Sequence, residues 1–458
     1  MVHTFTFNRD GHGEDYFVWD TEGGSLFKID FPVFLLLKNE FETDTKATPS
    51  EIKSYEELAE DVKNEAREEI KELADMGVLF TPDRNFSYQG KRTDVKALCL
   101  HICHDCNLKC KYCFASEGTY NTSRDYMSEE VAKAAIDFLI ENSGERKSLE
   151  VDFFGGEPLL NLDVVKSCVS YARSREKEFG KEFSFTMTTN CVLLDEEIAQ
   201  YLNDEMDNIV LSIDGRKCVH DKTRITSNGC GSYDAVIEGA KLMRKIRGDR
   251  KYYVRGTFTH DNLDFTEDVK SLSDAGFDQI SVEPVVLDDN HSLALKPEDF
   301  PVIIKEYDKL ASLYLDRLHT EKAFNFFHFM LDLKHGPCLN KRLTGCGAGA
   351  EYLAVSPIGD IYPCHQFVGE LDFRMGSVLD KTFNRDIQNV FAGIDVTKKS
   401  ECKDCFAKYY CSGGCIAASH HYMGDLKKPY DRSCELMRKR FEISMALYAY
   451  EEEEKEND

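Results

Sequence analysis

Three cysteines of this chain are spaced so that they could bind one metal cluster. Cys106, Cys110 and Cys113 follow the pattern C-x3-C-x2-C directly after an apolar run over 97–102. A four-iron cluster normally takes four cysteine thiolates. A loop with three thiolates therefore leaves one iron open to a small molecule that binds through its own donor atoms, and chemistry can occur at this iron.

A second group of cysteines lies in the C-terminal part of the chain. Cys402, Cys405, Cys411 and Cys415 follow the pattern C-x2-C-x5-C-x3-C. Four further thiols stand around this run, and they are Cys338, Cys346, Cys364 and Cys434. Eight thiols are enough for two clusters with four thiolates each.

Zinc is the alternative metal for the cysteine loop. C-x2-C pairs are common in structural zinc modules, whose further ligands can lie elsewhere in the chain. The remaining cysteines without cluster spacing are predicted to be small buried apolar residues, namely Cys99, Cys103, Cys168, Cys218 and Cys230.

The composition limits the class of protein. With 458 residues the chain is long enough for two or three domains. It has neither a run of about 20 apolar residues nor the layout of a signal peptide, so we expect a cytoplasmic protein, in which 17 cysteines serve metal or catalytic roles rather than disulfides. The net charge of −25 disfavours nucleic acid and favours a basic peptide partner. We expect the acidic end, 451–458, to be solvated or disordered.

Strand and helix patterns alternate from residue 97 onward. The extended apolar runs are 97–102, 149–154, 184–189, 208–213, 252–259 and 279–286, and helical stretches between them include 129–141, 164–178 and 233–247. Such repeats predict an α/β fold with a parallel sheet. Six strands are too few for a closed eight-stranded barrel, so we expect a partial (β/α)6 barrel. In barrels of this kind the functional loops follow the strand ends, as the cysteine loop does.

Polar groups follow several of these strands. The second strand is followed by Gly155-Gly156-Glu157-Pro158, in which paired glycines allow a close approach of the backbone to a ligand. Later strand ends carry Thr188, Thr189, Asn190, Ser212, Asp214 and Arg224. An arginine fork suits a carboxylate, although each of these residues taken singly is also typical of turns and caps. Arg255 and Glu283 are predicted either to line the pocket or to pair with each other.

Residues 1–95 have a different pattern. Two alternating segments, 16–20 and 25–30, are joined across Glu22-Gly23-Gly24 and predict a β-hairpin. Apolar residues at helical spacing predict a helix over 54–76, which Gly77 ends before an extended segment at 78–80. A hairpin followed by helices is compatible with a winged-helix-like peptide-binding domain.

The cysteine loop and the G-G-E-P turn together resemble those of the radical S-adenosylmethionine (SAM) enzymes. The resemblance implies a [4Fe–4S] cluster on Cys106, Cys110 and Cys113, whose open iron binds SAM, and reductive cleavage of SAM to a 5′-deoxyadenosyl radical. It also implies an external electron donor such as flavodoxin or ferredoxin. The residues implied to contact SAM are Tyr112, Gly155, Gly156, Glu157, Asn190, Ser212 and Arg224. Cys191 stands where the family usually has glycine.

The C-terminal cysteines resemble the SPASM domain, an extension of radical SAM enzymes. The pattern is Cys346-x12-Gly359-x4-Cys364, followed by the C-x2-C-x5-C-x3-C run and a last cysteine. The resemblance implies two auxiliary [4Fe–4S] clusters, one on Cys338, Cys346, Cys364 and Cys415 and the other on Cys402, Cys405, Cys411 and Cys434. It implies a barrel domain over 96–320 and a SPASM domain over 321–458.

Longer stretches are similar to the maturases of SCIFF peptides, which are cysteine-rich and ribosomally made. These stretches are 149–158, 252–259, 324–330 and 359–369. The similarity implies thioether bonds between cysteine sulfurs and peptide carbons, formed after the radical removes a hydrogen from the carbon. It further implies a leader sequence bound by residues 1–95, and neither a nucleic acid nor a membrane as partner.

Two other functions stay open at this point. A SPASM-type peptide dehydrogenase that resembles sulfatase-maturing enzymes would use the same cofactors, although the F-N-F-F-H-F-M stretch at 324–330 favours the thioether maturase. A multi-zinc scaffold or nucleic-acid binder would explain the C-x2-C pair, but it would explain neither the strand–helix repeats nor the acidic charge.

Overall fold

The computed structural model describes residues 1–9, 13–84, 86, 93–333 and 339–457. Its N-terminal unit is a three-stranded antiparallel sheet followed by three helices. The elements are β1 (Val2–Arg9), β2 (Gly13–Asp20), β3 (Ser25–Ile29), α1 (Phe31–Glu40), α2 (Pro49–Glu57) and α3 (Glu60–Asp75). The predicted hairpin is confirmed as β2 and β3, and β1 is a further strand on the other side of β2.

The prediction of one helix over 54–76 is wrong. The first helix begins earlier, because the side chain of Thr48 caps it. Leu58 and Ala59 are extended and separate α2 from α3, and Leu58 packs against the core of the N-terminal unit. The predicted extended segment at 78–80 is also wrong, since these residues form a bend.

The middle of the chain contains the six predicted strands, which are confirmed. The strands here are β4 (Ala97–Cys103), β5 (Leu108–Cys110), β6 (Ser148–Gly155), β7 (Glu182–Thr189), β8 (Asn208–Ser212), β9 (Arg224–Thr226), β10 (Tyr252–Phe258), β11 (Gln279–Pro284) and β12 (Asn325–Phe326). Parallel pairing joins seven of these strands in the order β12-β11-β10-β8-β7-β6-β4. The other two, β5 and β9, form a separate antiparallel pair.

Helices cover one face of this sheet. They are α4 (Glu129–Asn142), α5 (Leu162–Phe179), α6 (Glu196–Glu205), α7 (Lys217–Thr223), α8 (Tyr233–Arg247), α9 (Phe265–Asp274) and α10 (Phe300–Arg317). Val151 and Phe153 of β6 share a buried core with Ile136 of α4 and Val165 of α5. Burial of alternate strand residues against helices leaves the opposite face of the sheet for a site.

The cysteine-rich part continues the same sheet. Its elements are α11 (Leu339–Thr344), β13 (Tyr352–Val355), β14 (Asp360–Tyr362), β15 (Gly376–Ser377), β16 (Thr382–Phe383), α12 (Arg385–Ala392), α13 (Lys408–Cys411), α14 (Ile416–Met423) and α15 (Asp431–Asn457). Strand β13 pairs with β4, and β14 to β16 extend the sheet to eleven strands within the described residues. The first barrel strand is therefore directly bonded to the C-terminal part.

The N-terminal unit packs against the C-terminal part. The ring of Trp19 meets that of Phe441 edge to face at 5.6 Å, and Lys408 forms a buried ion pair with Glu22 at 2.7 Å. The acidic end is solvated as predicted at Glu453 and Glu454, which are exposed, but the alternative of a disordered end is wrong for residues 451–457, because they complete α15. Glu453 lies 3.3 Å from Lys28. No helix in the described parts of the chain has the length and apolar character needed to cross a membrane.

Candidate active site

The three cysteines of the loop line a single cavity. Cys106, Cys110 and Cys113 share its wall with residues from the carboxyl ends of the barrel strands, and its volume is about 240 Å³. Cys110 ends β5, where antiparallel pairing with β9 places it opposite Arg224. The structure thus brings together the three thiols that the sequence places on one cluster.

The G-G-E-P turn fits against the backbone of the cysteine loop. A side-chain carbon on Gly155 would overlap the carbonyl oxygen of Cys103, and one on Gly156 would overlap that of Asp105. The N–H groups of Gly156 and Glu157 donate to these same two carbonyls, each at 2.9 Å. The glycines therefore allow close approach to the cysteine loop, in addition to lining the cavity.

Glu157 is buried and holds the end of the third barrel strand. Its carboxylate accepts hydrogen bonds from the Thr189 hydroxyl at 2.8 Å, the Asn190 N–H at 2.7 Å and the Leu159 N–H at 3.1 Å. Burial raises the pKa of Glu157 to about 7 despite these donors. The carboxylate thus fixes Asn190 beside the cavity, which both residues line.

Asp214 anchors the opposite wall. Its Oδ2 accepts a 2.6 Å hydrogen bond from the Tyr112 hydroxyl, and its Oδ1 accepts one from the Thr257 N–H at 3.0 Å. Arg224 Nε lies 3.0 Å from Oδ1, and the guanidinium stands over the Tyr112 ring at 5.5 Å. Asp214 thus positions two residues that the sequence predicts to contact the cofactor, and it does not line the cavity itself.

Two donors at this site have no hydrogen-bond partner among the described residues. They are Arg224 Nε, where the approach to Asp214 lacks hydrogen-bond geometry, and Asn107 Nδ2 next to Cys106. Burial also raises the pKa of Cys110 to about 11 and that of Cys106 further. Buried thiols lose their protons when they bind metal, and unpaired donors suit a carboxylate ligand. The residues therefore fit an iron–sulfur cluster with SAM beside it.

The remaining predicted polar residues also reach this site. Thr188 and Ser212 line the cavity, and Asn190 Nδ2 donates to Asn107 Oδ1 at 2.6 Å. Cys191 adopts a left-handed conformation with φ +68°. Glycine adopts this conformation most readily, so the turn after Asn190 has a glycine-like backbone although a cysteine occupies it.

Among the further residues that line the cavity, four are charged or carry an imidazole or amide group, and the sequence motifs assign none of them to the cofactor. They are Arg255, Glu283, His365 and Gln366. Burial lowers the pKa of His365 to about 4, so its imidazole is neutral. The only sequence signal for His365 and Gln366 is that they directly follow Cys364, a predicted cluster ligand. Cys364 therefore directly precedes two residues of the cavity wall.

Electrostatic effects link seven cysteines of the second group to one another. Burial raises the pKa of Cys364 to about 12, and the negative charges of Cys415 and Cys346 raise it further. Burial likewise raises the pKa of Cys402 to about 12, with added effects of Cys411, Cys434 and Cys405. Mutual effects of this kind require short distances. These neighbours are those that the SPASM resemblance groups together, and Cys338 lies outside the described residues.

The cysteines without cluster spacing divide into two kinds. Cys99, Cys103 and Cys168 are buried, as predicted. The prediction is wrong for Cys218 and Cys230, which are exposed because they lie in α7 and in the turn after β9, at the surface. Cys103 points away from the cavity, and its Sγ donates to the Glu157 carbonyl at 3.1 Å.

The fold and the site agree with a family match in the middle of the chain. Residues 100–272 match the family model of the Radical SAM superfamily. This family implies SAM and one [4Fe–4S] cluster, in agreement with the three-thiol cavity.

Two proteins to which this chain is similar are named as maturating enzymes. The cysteine-type anaerobic sulfatase-maturating enzyme of Clostridium perfringens strain 13 is 26% identical over 331 residues, which are 68% of this chain and 85% of that protein. The mycofactocin maturase MftC of Mycolicibacterium smegmatis is 27% identical over 342 residues, covering 70% of this chain and 78% of that protein.

Solved structures share the fold. Native anSMEcpe with bound AdoMet matches with a TM-score of 0.65 at 21% identity and covers 77% of this chain and 98% of its own. Streptococcus suis SuiB bound to its precursor peptide SuiA matches with a TM-score of 0.51 at 15% identity and covers 93% of this chain and 98% of its own. The chain therefore has the α/β radical SAM fold with a cysteine-rich C-terminal part.

Proposed function

We propose that this protein is a radical SAM maturase that forms thioether bonds between cysteine sulfurs and carbon atoms of a ribosomally made, cysteine-rich precursor peptide. When bound, SAM and its cluster supply the radical chemistry. The observation that carries the proposal is the shared cavity, in which Cys106, Cys110 and Cys113 face His365 and Gln366, the residues after Cys364. A peptide in this cavity would have a carbon near one cofactor and a thiol near another.

The roles of individual residues follow from their places in the cavity wall. In our proposal Tyr112, Gly155, Gly156, Glu157, Asn190, Ser212 and Arg224 surround SAM. Two auxiliary clusters bind to the two C-terminal cysteine sets, with Cys338 as the fourth ligand of the set that contains Cys364. The domains are 1–95, 96–320 and 321–458, and the electron donor is a flavodoxin or ferredoxin.

The N-terminal unit is proposed to bind the leader of the precursor. In its sheet β3 is an edge strand, paired with β2 alone within the described chain. An edge strand presents unpaired backbone groups to which an extended peptide can add as a further strand. The SuiB structure with its precursor peptide SuiA covers 93% of this chain, which supports a comparable role for the N-terminal unit.

The test is an anaerobic reaction of the reconstituted protein with SAM, reductant and the cysteine-rich peptide encoded beside its gene. We expect the peptide to lose two hydrogens per crosslink, with the thiols no longer alkylated even after reduction. A peptide without its leader should react at least about tenfold more slowly, since recognition through the N-terminal unit is then lost. Cys106→Ala should abolish the reaction, whereas Cys230→Ala, at an exposed position, should preserve it.

A peptide dehydrogenase is the second candidate, and the 26% identity to the sulfatase-maturating enzyme of C. perfringens favours it. Its product would be a carbonyl on an oxidised side chain, which a hydrazide probe labels. Carbonyl labelling without a crosslink would therefore contradict the thioether proposal and support the dehydrogenase.

A further inference from the structure

Two histidines and one carboxylate converge on the surface of the C-terminal part. His420 and His421 lie near the end of α14, and Glu370 lies in the segment between β14 and β15. Glu370 Oε1 is 2.6 Å from His421 Nε2, and Oε2 is 3.5 Å from His420 Nε2. One ligand atom from each of the three residues lies within 4.8 Å of the others.

Aromatic rings restrict the positions of both imidazoles. Phe367 contacts His420 and His421 at ring-centroid distances of 5.6 and 5.4 Å. Phe373 meets His420 edge to face at 4.7 Å. Phe367 is fully buried, so the histidines rest on a rigid support. A preorganised pair of imidazoles loses little side-chain entropy when it binds a ligand.

The distances allow a metal ion to bind after a small movement of one side chain. The carboxylate makes one good hydrogen bond, to His421, but its distance to His420 is at the long limit for a second one. In a tetrahedral zinc site with bonds of about 2.0 to 2.1 Å, neighbouring ligand atoms lie about 3.3 Å apart. The distance from Glu370 to His420, 3.5 Å, is already close to this value. The distance from Glu370 to His421, 2.6 Å, reaches it when one side chain moves by less than about 1 Å.

We propose that Glu370, His420 and His421 bind a zinc ion, with the fourth position open to water. Neutral imidazoles and a carboxylate are common zinc ligands, and imidazole nitrogen favours zinc over magnesium or calcium. The ion would join the segment that follows Cys364 to the helix that follows Cys415. The ion would thereby restrict the positions of Cys364 and Cys415, two proposed ligands of one auxiliary cluster, without being part of that cluster.

The experiment measures zinc in the reconstituted holoprotein after anaerobic equilibrium dialysis against micromolar Zn²⁺, with iron and zinc counted in the same sample. We expect one zinc per chain in the wild type and in His319→Gln, a matched control in which an exposed histidine paired with Glu454 is lost. In His421→Gln and Glu370→Gln the affinity should fall by at least about tenfold, because even the loss of a residue that hydrogen-bonds to a metal ligand costs about 10- to 100-fold at metal sites.

Iron content and melting temperature are measured for each variant, the first as a control for intact clusters and the second as an independent sign of zinc binding. Unchanged iron in each variant shows that zinc has not replaced a cluster and that the chain has folded. Zinc should raise the melting temperature of the wild type and of His319→Gln, but not that of His421→Gln. The proposal is overturned if wild type and His421→Gln, at equal iron content, bind the same amount of zinc or none.

Discussion

The carboxylate of Glu283 accepts a 2.7 Å hydrogen bond from His328 Nε2, and this contact ties the wall of the cavity to the segment that follows β12. Arg440 of α15 approaches the other carboxylate oxygen at 3.8 Å and donates through Nε to the Tyr307 hydroxyl at 2.8 Å. Burial alone would raise the pKa of Glu283, but His328, Arg440 and Arg255 outweigh it and hold the pKa well below its usual range. Glu283 is thus paired with His328 after β12 and, at a longer distance, with Arg440 of α15.

Replacement of Glu283 by glutamine should destabilise this junction. The amide would leave the buried charge of Arg440 poorly compensated, and loss of one partner from such a pair costs about 3 to 5 kcal/mol when fully buried, so we expect about 2 to 4 kcal/mol here. Glu267→Gln, at an exposed position of α9, is the matched control. Thermal unfolding of both reconstituted variants is the measurement. Equal melting temperatures would show that the pair does not stabilise the junction.

The contact between the N-terminal unit and α15 should depend on pH through His3. Its Nδ1 lies 2.9 Å from Asp44 Oδ1 and its Nε2 lies 3.0 Å from Glu442 Oε1. Burial acts to lower the pKa of His3, but the two carboxylates raise it above its usual 6.5. Because the folded-state pKa is raised, this stabilisation is fully present below pH 6.5 and is lost as the pH rises through the folded-state value.

The matching experiment compares melting temperatures of wild type and His3→Gln between about pH 6 and about pH 9. At about pH 6 the wild type should be more stable than His3→Gln by about 2 kcal/mol, since two charge-assisted hydrogen bonds of His3 are present at this pH. This advantage should shrink as the pH rises. A difference between the two proteins that stays constant over the range would rule out titration of His3 as the cause.

The G-G-E-P turn provides a prediction about backbone packing. Alanine at Gly155 would place its methyl group on the Cys103 carbonyl, at a φ of +124°. We expect Gly155→Ala to displace the cysteine loop and to lower both loop-bound iron and SAM cleavage by more than about tenfold. Gly180→Ala is the control, because Gly180 also has positive φ, +64°, but an open surrounding. It should cost only about 1 kcal/mol of stability and leave activity intact.

Local patterns predict much of the central fold. The run over 252–259 and the helix over 233–247 are recovered in β10 and α8, because each has apolar residues that repeat along its own segment. The pattern fails where distant residues decide the structure. Leu58 interrupts the predicted helix and packs against a core formed by other parts of the N-terminal unit. The glutamates after Tyr450 are helical, and Glu453 among them lies beside Lys28 of β3.

The same distinction applies to the site. Cys106, Cys110 and Cys113 lie in one short loop, so their spacing alone indicates a shared ligand. Glu283 and His328 are 45 residues apart and meet only because β11 and the segment after β12 are neighbours in the sheet. His365 lies in the cavity wall because β13 pairs with β4, and no local sequence pattern predicts this pairing.

Iron content tests the ligand assignment in the cysteine loop. Three [4Fe–4S] clusters require about twelve irons per chain, and Cys106→Ala should remove about four of them together with SAM cleavage. Cys103→Ala is a stringent control, because Cys103 is only three residues away but donates its Sγ to the carbonyls of Asp105 and Glu157. It should keep all of its iron and lose about 1 kcal/mol of stability. Equal iron loss in both variants would mean that Cys103, and not the cavity alone, holds the cluster.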